Sequence, residues 1–453
     1  MENTNLGTEK VSKLLASFAI PAIFGMLINA LYNVVDKIFV GQGVNEYALG
    51  AISIVMPITM VMLAIGLLVG DGAASVFAMH LGKNEHNKAK GIIGASVVLV
   101  AILELLLMVA VLLFGERILN LLGATPELTG YAKDYLYIIV FGGVFQGVGI
   151  VLNGIIRSEG KPNLAMATML VGVIGNLILD PLFIFGFKWG IKGAAIATVI
   201  AQIISVASML LHFMGKKSIV KITFSKNSYD IKVLANICAL GFSSFVMQIA
   251  TGFITVLYNN LLGRYGGSLA ISSYTIVSSI TMLATMPFYG ITQAMQPIIS
   301  YNYGANLQSR VTACVKQSSI VCLFFGLVVT AIMFAFAAPI TQMFNANSQE
   351  LVEIAVKALR ISFVAFPLVG FQMVGAKYFQ SIGKAAPAIL LGLLRQIIVL
   401  IPALFLLSYI FGLNGVFMAS PFSDIIAFIA TFVYLIYAIK QNPSEYEEEK
   451  LSI

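Results

Sequence analysis

The chain has 453 residues, of which 59% are hydrophobic and only 10% are charged. Its mean hydropathy of +0.94 excludes a soluble globular protein, because such a protein needs a far more polar surface. The net charge of +7 does not indicate a nucleic-acid partner, since the basic residues lie mostly in alternate loops between apolar stretches.

Twelve apolar stretches follow one another along the chain, each long enough to cross about 30 Å of hydrocarbon as a helix. We therefore predict an all-α polytopic membrane protein with twelve transmembrane helices. Several stretches exceed one bilayer thickness, so tilt or kinking is expected. The predicted spans are 12–40, 49–80, 91–114, 131–157, 163–186, 191–214, 231–262, 268–300, 314–339, 353–380, 385–410 and 413–440.

The loops on one side of these predicted helices are rich in lysine and arginine. If the N-terminus is cytoplasmic and basic residues near span ends are counted with the adjoining loops, 18 of the 27 basic residues lie inside and 7 outside, and only Lys37 and Arg395 are assigned to spans. The strongest inside loop, between helices 6 and 7, reads as the linker between two halves. This pattern predicts a multi-pass protein of the cytoplasmic membrane with both termini inside.

The second half of the chain repeats the first at an offset of 222 residues. Because that offset covers six helices, an even number, both halves have the same orientation in the membrane. We predict two parallel-repeat six-helix lobes, residues 1–220 and 221–453, around a central cleft. The matched pairs include Gly41 with Gly263, Gly82 with Gly304, Asn84 with Asn306, Gly190 with Gly412 and Gly193 with Gly415.

Acidic and polar residues near the outer ends of the first lobe's helices form a candidate ion site. Asp36, Asp180 and Thr198 each lie roughly 6–12 Å below the outer ends of their helices on helical rise. Asn176 is one turn inward from Asp180, and Tyr135 can reach the same layer. Two carboxyls with neutral oxygens nearby predict a site for a proton or a hard cation. The alternative is that these are unrelated polar residues at helix ends.

At these residues the chain resembles the multidrug and toxic compound extrusion (MATE) family along nearly its whole length. The most specific segments are LYNVVDKIFVG, RSEGKPN and NLILDPLFIFGFKWGIKGAAIATVIAQ. The resemblance implies that Pro21 lies where helix 1 bends during transport, and a proline inside a helix predicts a kink in any case. Another branch of the family has acidic ion ligands in helices 7 and 10, but these helices carry no acid away from their ends in this chain. The resemblance therefore favours a MepA-like grouping. The ion-site residues implied by the resemblance are Asp36, Asn176, Asp180 and Thr198.

Other residues within the spans have less specific assignments. Asp71 lies near the cytoplasmic mouth, where it either attracts cationic substrates or lies among hydrated headgroups. Arg395 and Asp424 lie at similar depth on helices 11 and 12, so we predict an ion pair between them. Packing in the core or against lipid explains most methionine and phenylalanine residues as well as substrate contact does. The candidate cleft contacts, chosen by repeat position and polarity, are Gln248, Met282, Met286, Phe288 and Gln293.

The expected function is secondary antiport, in which amphipathic and cationic organic compounds are exported in exchange for protons or sodium ions. No nucleotide-binding, zinc-protease or nucleophile-elbow motif occurs, so neither an enzyme nor a cofactor is expected. Cys238, Cys314 and Cys322 show no paired spacing, and no structural metal is expected. We expect a monomer whose partners are small amphipathic substrates and the lipid bilayer.

Two alternatives to antiport stay open. A flippase for a lipid-linked oligosaccharide has the same two-lobe layout, but it needs several basic residues in its cleft to hold a diphosphate. The sequence offers only Arg395 at mid-depth. An integral-membrane enzyme acting on lipid needs clustered His, Asp or Ser side chains near an interface, and no such cluster is visible.

Overall fold

The computed structural model describes residues 5–44, 46–215, 218–219, 231–343 and 348–441. Within these residues all regular structure is helical and there is no β-strand. The predicted all-α membrane fold is therefore confirmed. The predicted boundary between the lobes at 220/221 lies outside the described residues, as does most of the lysine-rich linker.

Six long helices form the N-terminal lobe. A π-helical turn, Leu182–Gly186, prolongs the fifth, and a 3-10 turn, Asn5–Gly7, precedes the first. The first continues as one helix through Pro21. The helices are α1 (Val11–Gly43), α2 (Glu46–Gly82), α3 (His86–Leu121), α4 (Pro126–Ser158), α5 (Pro162–Pro181) and α6 (Gly190–Met214).

Eight helical segments form the C-terminal lobe. The fourth and fifth meet at a bend of 46° and together are long and apolar enough for one membrane span. The sixth and seventh are joined by a π-helical segment, Leu394–Val399, which carries Arg395. The segments are α7 (Ile231–Gly304), α8 (Gln308–Ala335), α9 (Ala337–Gln342), α10 (Gln349–Phe363), α11 (Phe366–Ser381), α12 (Ala385–Leu393), α13 (Leu400–Phe411) and α14 (Leu413–Gln441).

The described helices account for the twelve predicted spans. Ten helices are long and apolar enough to cross a membrane, and the bent pair α10–α11 makes an eleventh span. At 74 residues α7 would be about 111 Å long, more than three times the thickness of the hydrocarbon core. Gly267 breaks its helical geometry with φ 65° and ψ −161°, a backbone conformation that glycine adopts without a Cβ clash. The chain therefore crosses the membrane twice within α7.

The two lobes contact each other reciprocally at one end of the bundle. A Cβ atom added at Gly82 of α2 would overlap the backbone oxygen of Tyr301, and one added at Gly304 of α7 would overlap that of Met79. Gly82 and Gly304 are separated by 222 residues, and so are Met79 and Tyr301. The internal repeat is thus present in the packing, and we call the end of the bundle at Gly82 and Gly304 the closed end.

Three hydrophobic clusters fill the interior, and two of them cross between the lobes. One lies within the N-terminal lobe. A second N-terminal cluster also takes in Ile237 and Leu240 from the start of α7. The C-terminal cluster in turn takes in the segment from Leu6 to Ala19 at the start of the chain. Each lobe therefore buries the first residues of the other, which holds the closed end together.

Candidate functional site

The structure brings together two acidic side chains at the predicted ion site. Asp36 on α1 and Asp180 at the end of α5 lie within side-chain interaction range of each other. Asp180 is fully buried. A hydrogen bond between two carboxyl groups requires a proton on one of them, because an ionised carboxylate has no donor. A pair this close can therefore hold one shared proton.

Two neutral side chains fix the position of Asp180 within the buried layer. With its amide nitrogen turned toward Asp180, Asn176 donates to Oδ2 of that carboxylate. The amide oxygen of Asn176 then accepts from Oγ1 and from the backbone N–H of Thr198, both at 3.2 Å. Asn176 is 1% exposed, so these contacts satisfy a polar group that water does not reach. α5 and α6 are thus joined directly at the site.

Two tyrosines complete the polar layer around the acid pair. Tyr135 on α4 is buried and lies beside both carboxyl groups. Tyr32 on α1 also lies beside both acids and shares a hydrogen bond with Thr198. Tyr32 was not among the predicted residues, although it stands four residues before Asp36 and therefore on the same face of α1. The site draws on four helices, α1, α4, α5 and α6.

The C-terminal lobe has different chemistry at the corresponding place. The repeat aligns Asp36 with Tyr258, which stacks on Tyr274 with ring centroids 4.6 Å apart. Near it, Nε of Arg395 donates to Oδ1 of Asp424 at 2.7 Å, so the predicted partners are in contact. The acid pair of the first lobe is thus matched by an acid–base pair in the second.

Charged side chains also meet where the two lobes face each other above the closed end. Nζ of Lys377 on α11 and Oγ of Ser244 on α7 donate to Oδ2 of Asp71 on α2, at 2.9 Å and 2.7 Å. Arg157 at the end of α4 donates to Oε1 of Gln293 on α7. Asp71, predicted to attract cationic substrates or to lie among headgroups, is instead paired with Lys377 between the lobes.

The candidate cleft residues do not all lie between the lobes. Nε2 of Gln248 lies 2.8 Å from Sδ of Met60 on α2, so it spans the two lobes. Met282 and Met286 share a helical face with Gln293, whose side chain meets the N-terminal lobe. The assignment of Phe288 to the cleft is wrong. Its side chain is fully buried inside the C-terminal lobe, 5.6 Å and 5.1 Å from the rings of Phe325 and Phe366.

Comparison with known proteins gives the family. The family model MatE matches residues 21–182 and again residues 243–406. The chain belongs to the MATE family. The two matches start 222 residues apart, which is the offset of the repeat in the sequence.

Similar MATE proteins include curated relatives and solved structures. The multidrug export protein MepA of Staphylococcus aureus strain MSSA476 is 27% identical over 435 residues, covering 95% of each chain. The corresponding protein of Staphylococcus saprophyticus is 27% identical over 432 residues, with the same coverage. A structure described as the outward-facing conformation of a multidrug resistance MATE family transporter is 25% identical, with a TM-score of 0.91 over 98% of this chain and 99% of that chain.

Two basic residues of this MATE chain were missed in the sequence. Arg157 and Lys377 stand near the ends of predicted spans and were counted with the inside loops. In the structure Ser158, the residue after Arg157, bonds to the backbone oxygen of Ala74, eight residues before α2 ends. The end of α4 therefore lies well within the bundle, and Arg157 points between the lobes.

Proposed function

We propose that this MATE chain is a secondary antiporter that exports amphipathic organic compounds and couples export to an ion bound by Asp36 and Asp180. The observation that supports this most directly is the close approach of the two acidic side chains in the N-terminal lobe. The names of similar proteins, a multidrug export protein and a multidrug resistance transporter, support export of drug-like compounds.

The acid pair can link ion binding to movement of α1. When the shared proton leaves, two like charges stand side by side, and they repel unless a sodium ion enters or the helices separate. Asp36 is on α1, fifteen residues beyond Pro21, where the helix lacks one backbone hydrogen bond. A bend at Pro21 would move Asp36 relative to Asp180, which is fixed by Asn176. We propose that this displacement is the coupling step, with a proton or a sodium ion as the coupling ion.

We further propose that the closed end faces the cytoplasm, so that the cleft opens to the outside. The likeness to a transporter structure described as outward-facing supports this orientation. The lysine-rich loop supports it too, because cytoplasmic loops carry an excess of basic residues. Substrate would then leave from the side on which the acid pair lies.

Efflux from proteoliposomes tests the proposal. The purified chain is reconstituted, and release of a panel of fluorescent amphipathic dyes is measured under a pH gradient or a sodium gradient, one at a time. Asp36→Asn and Asp180→Asn keep the side-chain shape but cannot titrate, so both should lose the response to the gradient. Asp134→Asn is the matched control, because Asp134 is next to Tyr135 in sequence but its side chain is 45% exposed and pairs with Lys192. A full gradient response in Asp36→Asn refutes the coupling role.

The flippase alternative gains one observation but has less support. Arg157 and Lys377 place two basic side chains between the lobes, where the sequence offered only Arg395. Asp71 neutralises one of them, which leaves a single positive charge for a diphosphate that carries two or more negative charges. Gradient-driven dye efflux by the wild type would favour the antiporter.

A further inference from the structure

We propose that the charged cluster between the lobes binds an acidic group of the exported compound, with Arg157 as its ligand. The inference rests on the proposed export function and names the substrate class. It concerns compounds with an apolar body and a carboxylate or a similar anionic group, including zwitterions. The cluster consists of Asp71, Arg157, Lys377 and Gln293.

The internal repeat explains why this cluster carries an unbalanced charge. Asp71 and Gln293 are related by the 222-residue offset, and each accepts from a cation of the opposite lobe. Asp71 accepts from Lys377, and Gln293 accepts from Arg157. One of these two contacts is therefore charged on both sides, whereas the other pairs a cation with a neutral amide. The cluster has one positive charge in excess.

Arg157 is the cation of this cluster without a hydrogen-bonded carboxylate, although Asp71 interacts electrostatically with it as well as with Lys377. Asp71 already accepts from Lys377 and Ser244 on the same carboxylate oxygen. Among the described residues, no carboxylate forms a salt bridge with Arg157. A guanidinium has five N–H donors, and the contact with Gln293 uses one of its nitrogens. The remaining donors can bind a carboxylate in two-point geometry, which an ammonium group cannot match.

A ligand can reach the cluster only from the side opposite the closed end. Asp71 and Gln293 each lie eleven residues before the end of their helix, roughly 16 Å on helical rise. The residues between them and the closed end are buried, 72–78 in α2 and 294–300 in α7. The side chains of Asp71 and Lys377 keep 15% and 11% exposure. This remaining access therefore comes from the cleft, and the cluster forms its floor.

The walls above this floor suit the rest of such a molecule. Met60 and Gln248 face each other across the cleft. Met282 and Met286 lie farther from the closed end on the face of α7 that carries Gln293. Methionine side chains are flexible and polarizable, so they adapt to apolar bodies of different shape. A cation without an acidic group would meet the excess positive charge, which argues against the cationic substrates expected from the sequence.

A matched pair of dyes tests the inference. One is a rhodamine with a free carboxylate, and the other is the methyl ester of the same dye. Binding to the purified chain in nanodiscs is measured at equilibrium by fluorescence anisotropy, without any gradient. The wild type should bind the acid more tightly than the ester. Because a charged hydrogen bond contributes about as much as a tenfold change in affinity, Arg157→Gln should weaken acid binding about tenfold and leave ester binding within about twofold.

The variant Gln293→Glu gives an independent measurement that keeps Arg157 in place. It supplies the missing acid of the repeat, so the guanidinium acquires a permanent counter-ion and acid binding should fall by a similar factor. Asp71→Asn changes the charge in the opposite direction and should strengthen acid binding. The matched control is Arg264→Gln, which removes an arginine that lies over the ring of Tyr265, 5.8 Å from its centroid, away from the cluster. This control should bind both dyes as the wild type does.

The possible outcomes separate this inference from the proposed function. The acidic-group site is overturned if Arg157→Gln loses equal affinity for the acid and the ester, or if the wild type does not prefer the acid. Either result is compatible with gradient-driven efflux. Absence of gradient-driven efflux in the wild type counts against the antiporter, whereas the binding series still tests the site. Nanodiscs with and without anionic lipid identify the source of the anion. Displacement of the acid dye by anionic lipid overturns the assignment to an exported compound.

Discussion

Removing one partner of the Arg395–Asp424 ion pair should destabilise the chain more than removing both. The two side chains are joined by a 2.7 Å hydrogen bond between α14 and the π-helical segment before α13. Asp424 is only 4% exposed, while Arg395 keeps 20% exposure. The perturbation consists of three variants: Arg395→Leu, Asp424→Leu and the double change.

The burial of each partner sets the expected sizes. Leaving one charge of a buried pair without its partner costs roughly 3–5 kcal/mol. Arg395→Leu should approach the upper figure, because it leaves Asp424 buried without its charged partner, and Ser420 is a neutral donor. Asp424→Leu should lie near the lower figure, since water reaches part of the guanidinium. The double variant buries two apolar side chains and should lose less than either single variant, with a coupling energy of at least about 2 kcal/mol.

The assay is a double-mutant cycle on apparent thermal unfolding midpoints of the purified protein in one detergent. The surface pair of Lys133 and Glu116 is the control, because its nitrogen and oxygen are 2.8 Å apart but its side chains are 32% and 65% exposed. A cycle on that pair should give a coupling below about 1 kcal/mol. If the losses of Arg395→Leu and Asp424→Leu simply add, the pair does not contribute to stability as reasoned.

Three further predictions follow from packing and charge. Gly241→Ala should weaken the packing of α7 against α2, because a methyl group there would overlap the backbone oxygen of Leu68, whereas Gly252→Ala on the same helix meets open space and should raise stability slightly. Equal thermal unfolding midpoints in the two variants would contradict this. Phe288→Ala should lower the unfolding free energy by roughly 3–5 kcal/mol, and a loss below about 1 kcal/mol would show that the residue is not in the core. Hydrogen bonds from Lys88 and His80 lower the pKa of Glu85 from 4.5 to about 2. The contribution of Glu85 to folding stability is therefore present above about pH 4.5 and disappears as pH falls toward 2. The stability difference between wild type and Glu85→Gln, measured against pH, should shrink over that window, and a constant difference would rule out the linkage.

Helix periodicity and depth were sufficient to predict the spans and which polar residues of the first lobe share a layer. The rise per residue is fixed, so residues near the outer ends of α1, α5 and α6 had to share one layer, and Asp36 and Asp180 do meet there. Tyr32 could have been predicted in the same way, since it is one helical turn from Asp36. The sequence alone left the proton and sodium alternatives open, because both use the same oxygen atoms.

The cluster between the lobes could not be predicted from the sequence, for a geometrical reason. Whether Arg157 lies in a loop or between the lobes depends on where α4 ends relative to α2, and that offset comes from packing. The prediction that Phe288 contacts the cleft was wrong for a related reason. One face of α7 packs inside its own lobe and another faces the cleft, and both faces are apolar. Hydropathy gives the depth of such residues but not which neighbour they meet.

The reciprocal contact at the closed end bears on how the chain arose. Gly82 meets Tyr301 and Gly304 meets Met79, so one surface is used twice around a two-fold axis along the membrane normal, as in an isologous homodimer. Two separate copies of a six-helix ancestor could make this interface with identical residues. Fusion of the copies into one gene freed each to mutate alone. The symmetric interface is present in both copies, whereas Asp36 of one copy corresponds to Tyr258 of the other, so among the described residues only the first copy holds the acid pair.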